Sequence, residues 1–235
     1  MYQPAGSPIG KSLLASGLAE PPISYAQAAF WPIRGWSGAA KRAIDIVFAL
    51  AMLVVFGIPM LLAALAIRLE SPGRALFRQR RIGFANVGFD IWKFRTMRDH
   101  PPERGRLVQA TQRDNRVTRV GRFLRRTSFD ELPQLFNILR GDMSLVGPRP
   151  HAPGTCAGGT PFEMVTPHYP ARHRVKPGLT GLAQVRGWRG ETETEEKLLR
   201  RVECDLEYIN NWSLWLDMVI LARTIAPVFA ARNAY

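Results

Sequence analysis

The residues best suited to chemistry sit in one short stretch, LRRTSFDELPQLFNILRG, at positions 124–141. Asp130 and Glu131 stand side by side, behind Arg125 and Arg126 and just ahead of Pro133. Such a pair is either reactive or only the acidic first turn of a helix. The local pattern supports the structural reading. Ser128 with Glu131 three residues later fits a capping box, and acids suit the positive end of a helix dipole. Leu132, Leu135, Phe136 and Leu139 then recur at i, i+3, i+4 and i+7 as one apolar stripe. Two helix starts are open. With Ser128 as N-cap, Pro133 falls at the fifth helical position and removes a backbone bond. With Asp130 as N-cap, Pro133 falls in the first turn, where no N–H is needed. In that case, however, the Asp130 carboxylate is occupied by backbone N–H groups. A chemical role therefore favours Ser128 as the cap.

The rest of the chain sets the context for this pair. The net charge is +13 and the pI about 10.8, which calls for a polyanionic partner: nucleic acid, phosphorylated small molecules or anionic lipid headgroups. Cys156 and Cys204 form no disulfide framework and no CxxC pair, as expected of a reducing, cytosol-facing protein. His151, His168 and His173 lie near Cys156 in sequence, but no zinc-ligand spacing recurs.

Residues 1–40, rich in Gly, Pro, Ser and Ala, read as a flexible extension without a signal peptide. Phe30, Trp31 and Trp36 at its end suit a membrane interface. Residues 41–69 form the anchor: Ile46 to Ile67 carry no charge and are long enough to cross a bilayer. Both flanks are basic, with Lys41 and Arg42 before and Arg68, Arg74, Arg78, Arg80 and Arg81 after. A simple span biases positive charge to one side. Gly57 and Pro59 fall near the middle, and proline kinks a helix. A re-entrant kinked helix that returns to the same face explains these features, with a kinked spanning helix as the alternative.

Residues 70–235 read as the catalytic domain. Strands are expected at 75–79 and 87–95, loops at 98–117 and 151–165, and a helix at 192–211. An amphipathic interfacial helix is expected over 212–231, with Trp212, Trp215, Leu216, Val219, Ile220 and Phe229 on its apolar side. The fold class is thus α+β and mainly α-helical, with a small β element, a membrane anchor and interfacial helices. In RHRVKPGLTGLAQVRGW, glycines among Arg172, Arg174, Lys176 and Arg186 allow close backbone approach to an anion, so a phosphate- or nucleotide-binding loop is expected there, with Gln184 reading the nucleotide or sugar.

Six strings in order carry a resemblance: KRAIDIVFAL, FRQRRIG, FDIWKFRTM, RVTRVGRFLRRTSFDELPQLFNILRGDMSLVGPRP, RHRVKPGLTGLAQVRGW and DLEYINNWSLWLDM. Across residues 41–235 the chain resembles the bacterial sugar transferases, the monotopic polyprenyl-phosphate phosphoglycosyl transferases, in their minimal catalytic form. The resemblance implies transfer of a sugar 1-phosphate from a nucleotide diphosphate sugar to undecaprenyl phosphate. It implies a covalent intermediate on Asp130, and Mg²⁺ held by Glu131. It also places the chain at the bacterial inner membrane lipid, with its catalytic domain on the cytosolic face. RGWRGETETEEK and the terminal RNAY resemble the subgroup that takes glucose 1-phosphate from UDP-glucose in exopolysaccharide synthesis; galactose or an N-acetylated sugar is the alternative. Many members carry a Ser-Pro pair at the break in the membrane helix, whereas Ile58 precedes Pro59 here.

This chemistry needs cations to screen one anion attacking another. Arg125, Arg149 in the rigid VGPRP turn, and Lys93 are the expected phosphate holders, joined by Arg172 and Lys176. Arg126 and Asp142 divide evenly between site and structural roles. Against a nucleic-acid-binding protein, the arginines are scattered through turns near two carboxylates instead of lining a recognition helix. The intact DE pair and VGPRP argue against an inactive scaffold. Assembly into a homo-oligomer is left open by the sequence.

Overall fold

The computed structural model describes residue 33, residues 35–98 and residues 114–230, the side chains of 225–230 excepted. Most of the N-terminal extension, with Phe30 and Trp31, lies outside the described residues, as do residues 99–113, the Phe229 side chain and the terminal RNAY.

The apolar run forms a single long helix, α1 (Gly35–Glu70), which continues through Pro59. Pro59 lies inside this helix, where it removes one backbone donor. At about 1.5 Å per residue such a helix is long enough to enter or cross a bilayer. Its two faces differ. Ala49, Met60 and Ile67 are buried, with Leu53, Phe56, Ala63 and Ala64 packed alongside. Val54, Ile58, Leu61, Leu62, Leu65 and Leu69 are exposed on the rest of its surface, an apolar stripe suited to lipid.

Both ends of α1 are fastened to the remainder of the protein. Near the N-terminus, Lys41 Nζ donates to Asp217 Oδ2 (2.7 Å) and to the Val146 carbonyl (3.1 Å). Arg42 donates to the Ile138 and Leu139 carbonyls, and Asp45 Oδ1 accepts from Ser144 Oγ and the Leu145 amide. At the C-terminal end, Glu70 accepts from the Arg119 and Val120 amides (2.7 and 3.0 Å), two donors at a helix start that lack intrahelical partners. Just beyond it, Arg95 donates to the Ser71 carbonyl.

The β element follows. Strands β1 (Leu76–Ile82) and β2 (Gly88–Phe94) form an antiparallel hairpin that pairs Phe77 with Lys93. Helix α2 (Arg119–Arg126) starts with the Thr118 hydroxyl accepting from the Gly121 amide. A 3₁₀ turn (Phe129–Glu131) then leads to α3 (Gln134–Arg140), which Gly141 closes at φ 91° in the left-handed region. Strand β3 (Ser144–Val146) enters the VGPRP turn and pairs in parallel with β6 (Gly178–Thr180), a pairing absent from the sequence reading. Residues 151–165, expected as a loop, contain a short hairpin, β4 (Cys156–Ala157) with β5 (Thr160–Pro161), and the short helix α4 (Phe162–Val165). After a 3₁₀ segment (Tyr169–Arg174) and β6 come α5 (Leu182–Val185), α6 (Glu195–Asn210) and α7 (Leu214–Ala230).

The last helix corrects one expectation. Ile220 is fully buried, and Trp212, Leu216 and Leu221 pack against the main core of Leu135, Ile138, Leu145 and Tyr208. That side of the tail belongs to the protein interior, while Trp215 points outward.

The buried Lys41–Asp217 pair joins α1 to α7, and Asp217 also accepts from Tyr208 and Trp212. Removing one partner of such a pair strands a buried charge. Lys41→Ala is therefore expected to cost about 3 kcal/mol, read as a fall in thermal midpoint, with Lys41→Met/Asp217→Leu recovering most of it. A single variant as stable as the parent would show that the pair does not hold the two helices together.

Candidate active site

The turn carrying Asp130 is set by its neighbours on both sides. Ser128 adopts φ 58°, in the left-handed region, and its hydroxyl makes no capping bond. The expected capping box is therefore absent. The chain instead reverses at Ser128, makes the 3₁₀ turn and enters α3 after Pro133, whose missing donor costs nothing there. Asp130 does not cap its own helix either, so its carboxylate is left for other work. Phe129 anchors the turn by packing edge-on against Phe56 of α1, with ring centroids 5.8 Å apart.

Glu131 and Asp130 have opposite surroundings. Glu131 Oε1 accepts from Lys93 Nζ (2.9 Å), and both Glu131 oxygens accept from the Arg149 guanidinium. Burial alone would raise its pKa, but Arg149 and Lys93 outweigh burial and hold it well below the usual carboxylate range. Among the described residues no group donates to Asp130. Burial and the neighbouring Glu131 charge push its pKa up to about 6, against the pull of Lys93, Arg125 and Arg149. One carboxylate is thus held as a fixed anion and the other is poised to gain or lose a proton near neutrality.

Of the residues expected from sequence, the structure brings Asp130, Glu131, Lys93, Arg125 and Arg149 together. Lys93 arrives on β2, Arg125 at the end of α2, and Arg149 after β3. Arg125 Nε donates to Thr96 Oγ1 at 2.9 Å. Arg172 is placed elsewhere: it is buried on Asp205 (Nη2–Oδ2 2.5 Å) and donates to the Arg149 carbonyl (2.8 Å). Its position fixes the backbone that presents Arg149 and does not offer the guanidinium to an incoming anion. Lys176 lies by Gly141, beyond the C-terminal end of α3, whereas Asp130 precedes the other end. Gln184 lines a narrow cleft with Arg149, His151, Trp188 and Arg201. Arg126 is exposed, and Asp142 accepts from Asn137 in the turn after α3.

Sequence reasoning missed Thr96, Asp205, His151 and Gln134. Thr96 stands in the same string as Lys93 and His151 directly follows VGPRP, so only Asp205 comes from a distant segment. Gln134 stands directly after FDELP; it is almost fully buried, and its amide nitrogen has no partner among the described residues.

No group of three or more His, Cys, Asp or Glu side chains able to hold a metal occurs among the described residues. The donor set at Asp130 and Glu131 is instead two adjacent carboxylates. That suits Mg²⁺, which takes one or two protein oxygens and completes its shell with substrate phosphates and water.

Any reaction in which ionised Asp130 attacks loses rate as the pH falls through about 6. Lys93→Met should move that limb to higher pH, because Lys93 lowers the Asp130 pKa. A pH–rate profile that stays flat through the acidic range contradicts this assignment.

The profile of the family described as "Bacterial sugar transferase" matches residues 36–231. The UDP-glucose:undecaprenyl-phosphate glucose-1-phosphate transferase of Caulobacter vibrioides is 53% identical over 197 residues, 83% of this chain and 72% of that protein. The undecaprenyl-phosphate glucose phosphotransferase of Komagataeibacter xylinus is 50% identical over 204 residues, 87% of this chain and 38% of that protein. A UDP-N-acetylgalactosamine-undecaprenyl-phosphate N-acetylgalactosaminephosphotransferase of Aeromonas hydrophila is 41% identical over 194 residues, 83% of this chain and 44% of that protein. The chain thus spans less than half the length of two of these relatives. With the profile covering the anchor, the carboxylate pair and the arginine-bearing turns alike, the chain belongs to the bacterial sugar transferase family.

Proposed function

We propose that the protein transfers glucose 1-phosphate from UDP-glucose to undecaprenyl phosphate, beginning synthesis of an exopolysaccharide or other surface glycan. The observation that carries this reading is the contrast within the pair. Asp130 accepts no hydrogen bond from the described residues, while Glu131 beside it is held ionised between Lys93 and Arg149. The relatives named for glucose are more similar than the one named for an N-acetylated donor, which favours glucose.

The reaction divides into two displacements at one phosphorus. An Asp130 carboxylate oxygen bonds to the sugar-bearing phosphorus as the bridging bond to the other phosphate breaks, and nucleoside monophosphate leaves with the electron pair. An oxygen of the lipid phosphate then bonds to the same phosphorus and the aspartate departs unchanged. Lys93, Arg125 and Arg149 surround Asp130 closely enough to lower its pKa, and the same charges screen the approach of anion to anion. Glu131 is the residue that would hold Mg²⁺, which when bound neutralises phosphate charge.

The anchor reading is re-entrant, with the catalytic domain on the cytosolic face of the inner membrane. It is supported by the two fastenings of α1, since Lys41 and Glu70 both bond to the same domain. A helix so held at both ends has no end left to cross to the far side. The exposed stripe from Val54 to Leu69 then faces lipid, and Phe56 connects that helix to the catalytic turn.

Asp130→Asn is expected to abolish both the phosphosugar adduct on the protein and release of nucleoside monophosphate, and chelation of divalent cations should stop the parent enzyme. Full turnover by the variant would rule out the covalent route. For topology, single cysteines placed before Lys41 and after Arg81 should react with an impermeant thiol reagent from the same side of sealed vesicles. Labelling from opposite sides would establish a spanning helix.

A further inference from the structure

The cleft beside Arg149 contains buried polar atoms that the chemistry above does not use. His151 and Gln184 both line it and are each more than nine-tenths buried. His151 Nε2 and Gln184 Oε1 have no partner among the described residues. Leaving such atoms unpaired costs stability, so a site that retains both has a reason to.

Their hydrogen-bonding senses are fixed by their other contacts. The Arg172 guanidinium reaches His151 Nδ1, and arginine has no acceptor, so Nδ1 carries a lone pair. Burial, with Arg172 and Arg201 nearby, keeps the ring neutral, since these effects lower its pKa. The single ring proton is therefore on Nε2, which is a donor. Gln184 Nε2 donates to the Leu179 carbonyl (3.3 Å), which turns Oε1 out as an acceptor. His151 and Gln184 thus offer the cleft a fixed donor and a fixed acceptor, in a gap with room for about one water molecule.

A single oxygen that accepts and donates at once fills such a gap, as a hydroxyl group does. A planar base edge needs more width, and an acetamido group is too large. Arg149 is one of the residues lining the cleft, and its guanidinium grips Glu131 next to the attacking Asp130. The part of a nucleotide sugar that lies nearest the reacting phosphorus, other than the phosphates, is the sugar itself. We infer that His151 and Gln184 form a specificity subsite for one hydroxyl of the transferred hexose, rejecting donors that carry an N-acetyl group at that position. This inference rests on the transferase reading above. It adds the residues that separate a glucose donor from an acetamido-sugar donor, a distinction drawn within the family itself by the names of the relatives.

The test is nucleoside monophosphate release by the full chain in undecaprenyl-phosphate vesicles, with UDP-glucose and its 2-, 3-, 4- and 6-deoxy analogues as donors. The parent is expected to lose about 100-fold or more in kcat/KM for one deoxy analogue alone. His151→Phe and Gln184→Met should lose a similar factor on UDP-glucose, and little on that one analogue, while free UDP inhibits them as it does the parent. Matching thermal midpoints show that the variants are folded, and the discrimination by the parent stands without them. Equal use of all four analogues overturns the inference, as does a loss in both variants that is the same for every donor and for UDP inhibition, which would place a nucleotide contact there. No release from any donor by the parent would overturn the transferase reading itself, an outcome distinct from activity without hydroxyl discrimination.

Discussion

The clamp of Lys93 and Arg149 on Glu131 is the interaction on which the site depends. Two adjacent carboxylates repel each other, and burial penalises both charges. Two cations on one of them resolve the conflict by fixing the negative charge on Glu131 and leaving Asp130 to titrate near neutrality. The clamp also joins three segments far apart in sequence: the second hairpin strand, the catalytic turn, and the proline-flanked turn after β3. A further layer holds the clamp, since Arg172 ties the Arg149 backbone to Asp205 on α6.

The long apolar helix contributes more than attachment. Its C-terminal Glu70 caps the helix that presents Arg125, and its N-terminal turns hold β3, which runs into the turn that presents Arg149. Between them Phe56 packs under the catalytic turn. The two arginines flanking Asp130 are thus referenced to opposite ends of one rod, itself apolar on its exposed side. In the proposed reaction such an arrangement would keep a lipid phosphate and a water-borne donor within reach of one carboxylate, because the apolar element also sets the geometry of the site.

Secondary structure was legible in the sequence wherever a periodic pattern was strong. The apolar run, the hairpin, the α6 stripe of Leu198, Val202 and Ile209, and the tail helix all occur as regular elements. The pattern failed where local chemistry competed with tertiary packing. Ser128 resembled a cap because Ser-x-x-Glu is the capping signature, yet Glu131 is drawn outward to Lys93 and Arg149, and the turn tightens to 3₁₀. The tail helix looked interfacial because apolar spacing cannot say whether a stripe faces lipid or a core; Ile220 and Leu216 face the core.

By itself the sequence determined which groups are candidates for the chemistry. Asp130 and Glu131 are adjacent by covalent bonding, and their surplus of basic neighbours is a matter of composition. Only the tertiary structure decided what each group does. A carboxylate becomes a fixed anion or a titrating one according to which cations reach it, and Lys93 and Arg149 reach Glu131 across 38 and 18 residues of chain. Likewise Arg172, indistinguishable in sequence from a phosphate holder, became a buried strut because Asp205 lies 33 residues away in the chain but 2.5 Å away in space. Side-chain type is local, whereas burial and charge pairing are set by long-range contacts that no short stretch of sequence encodes.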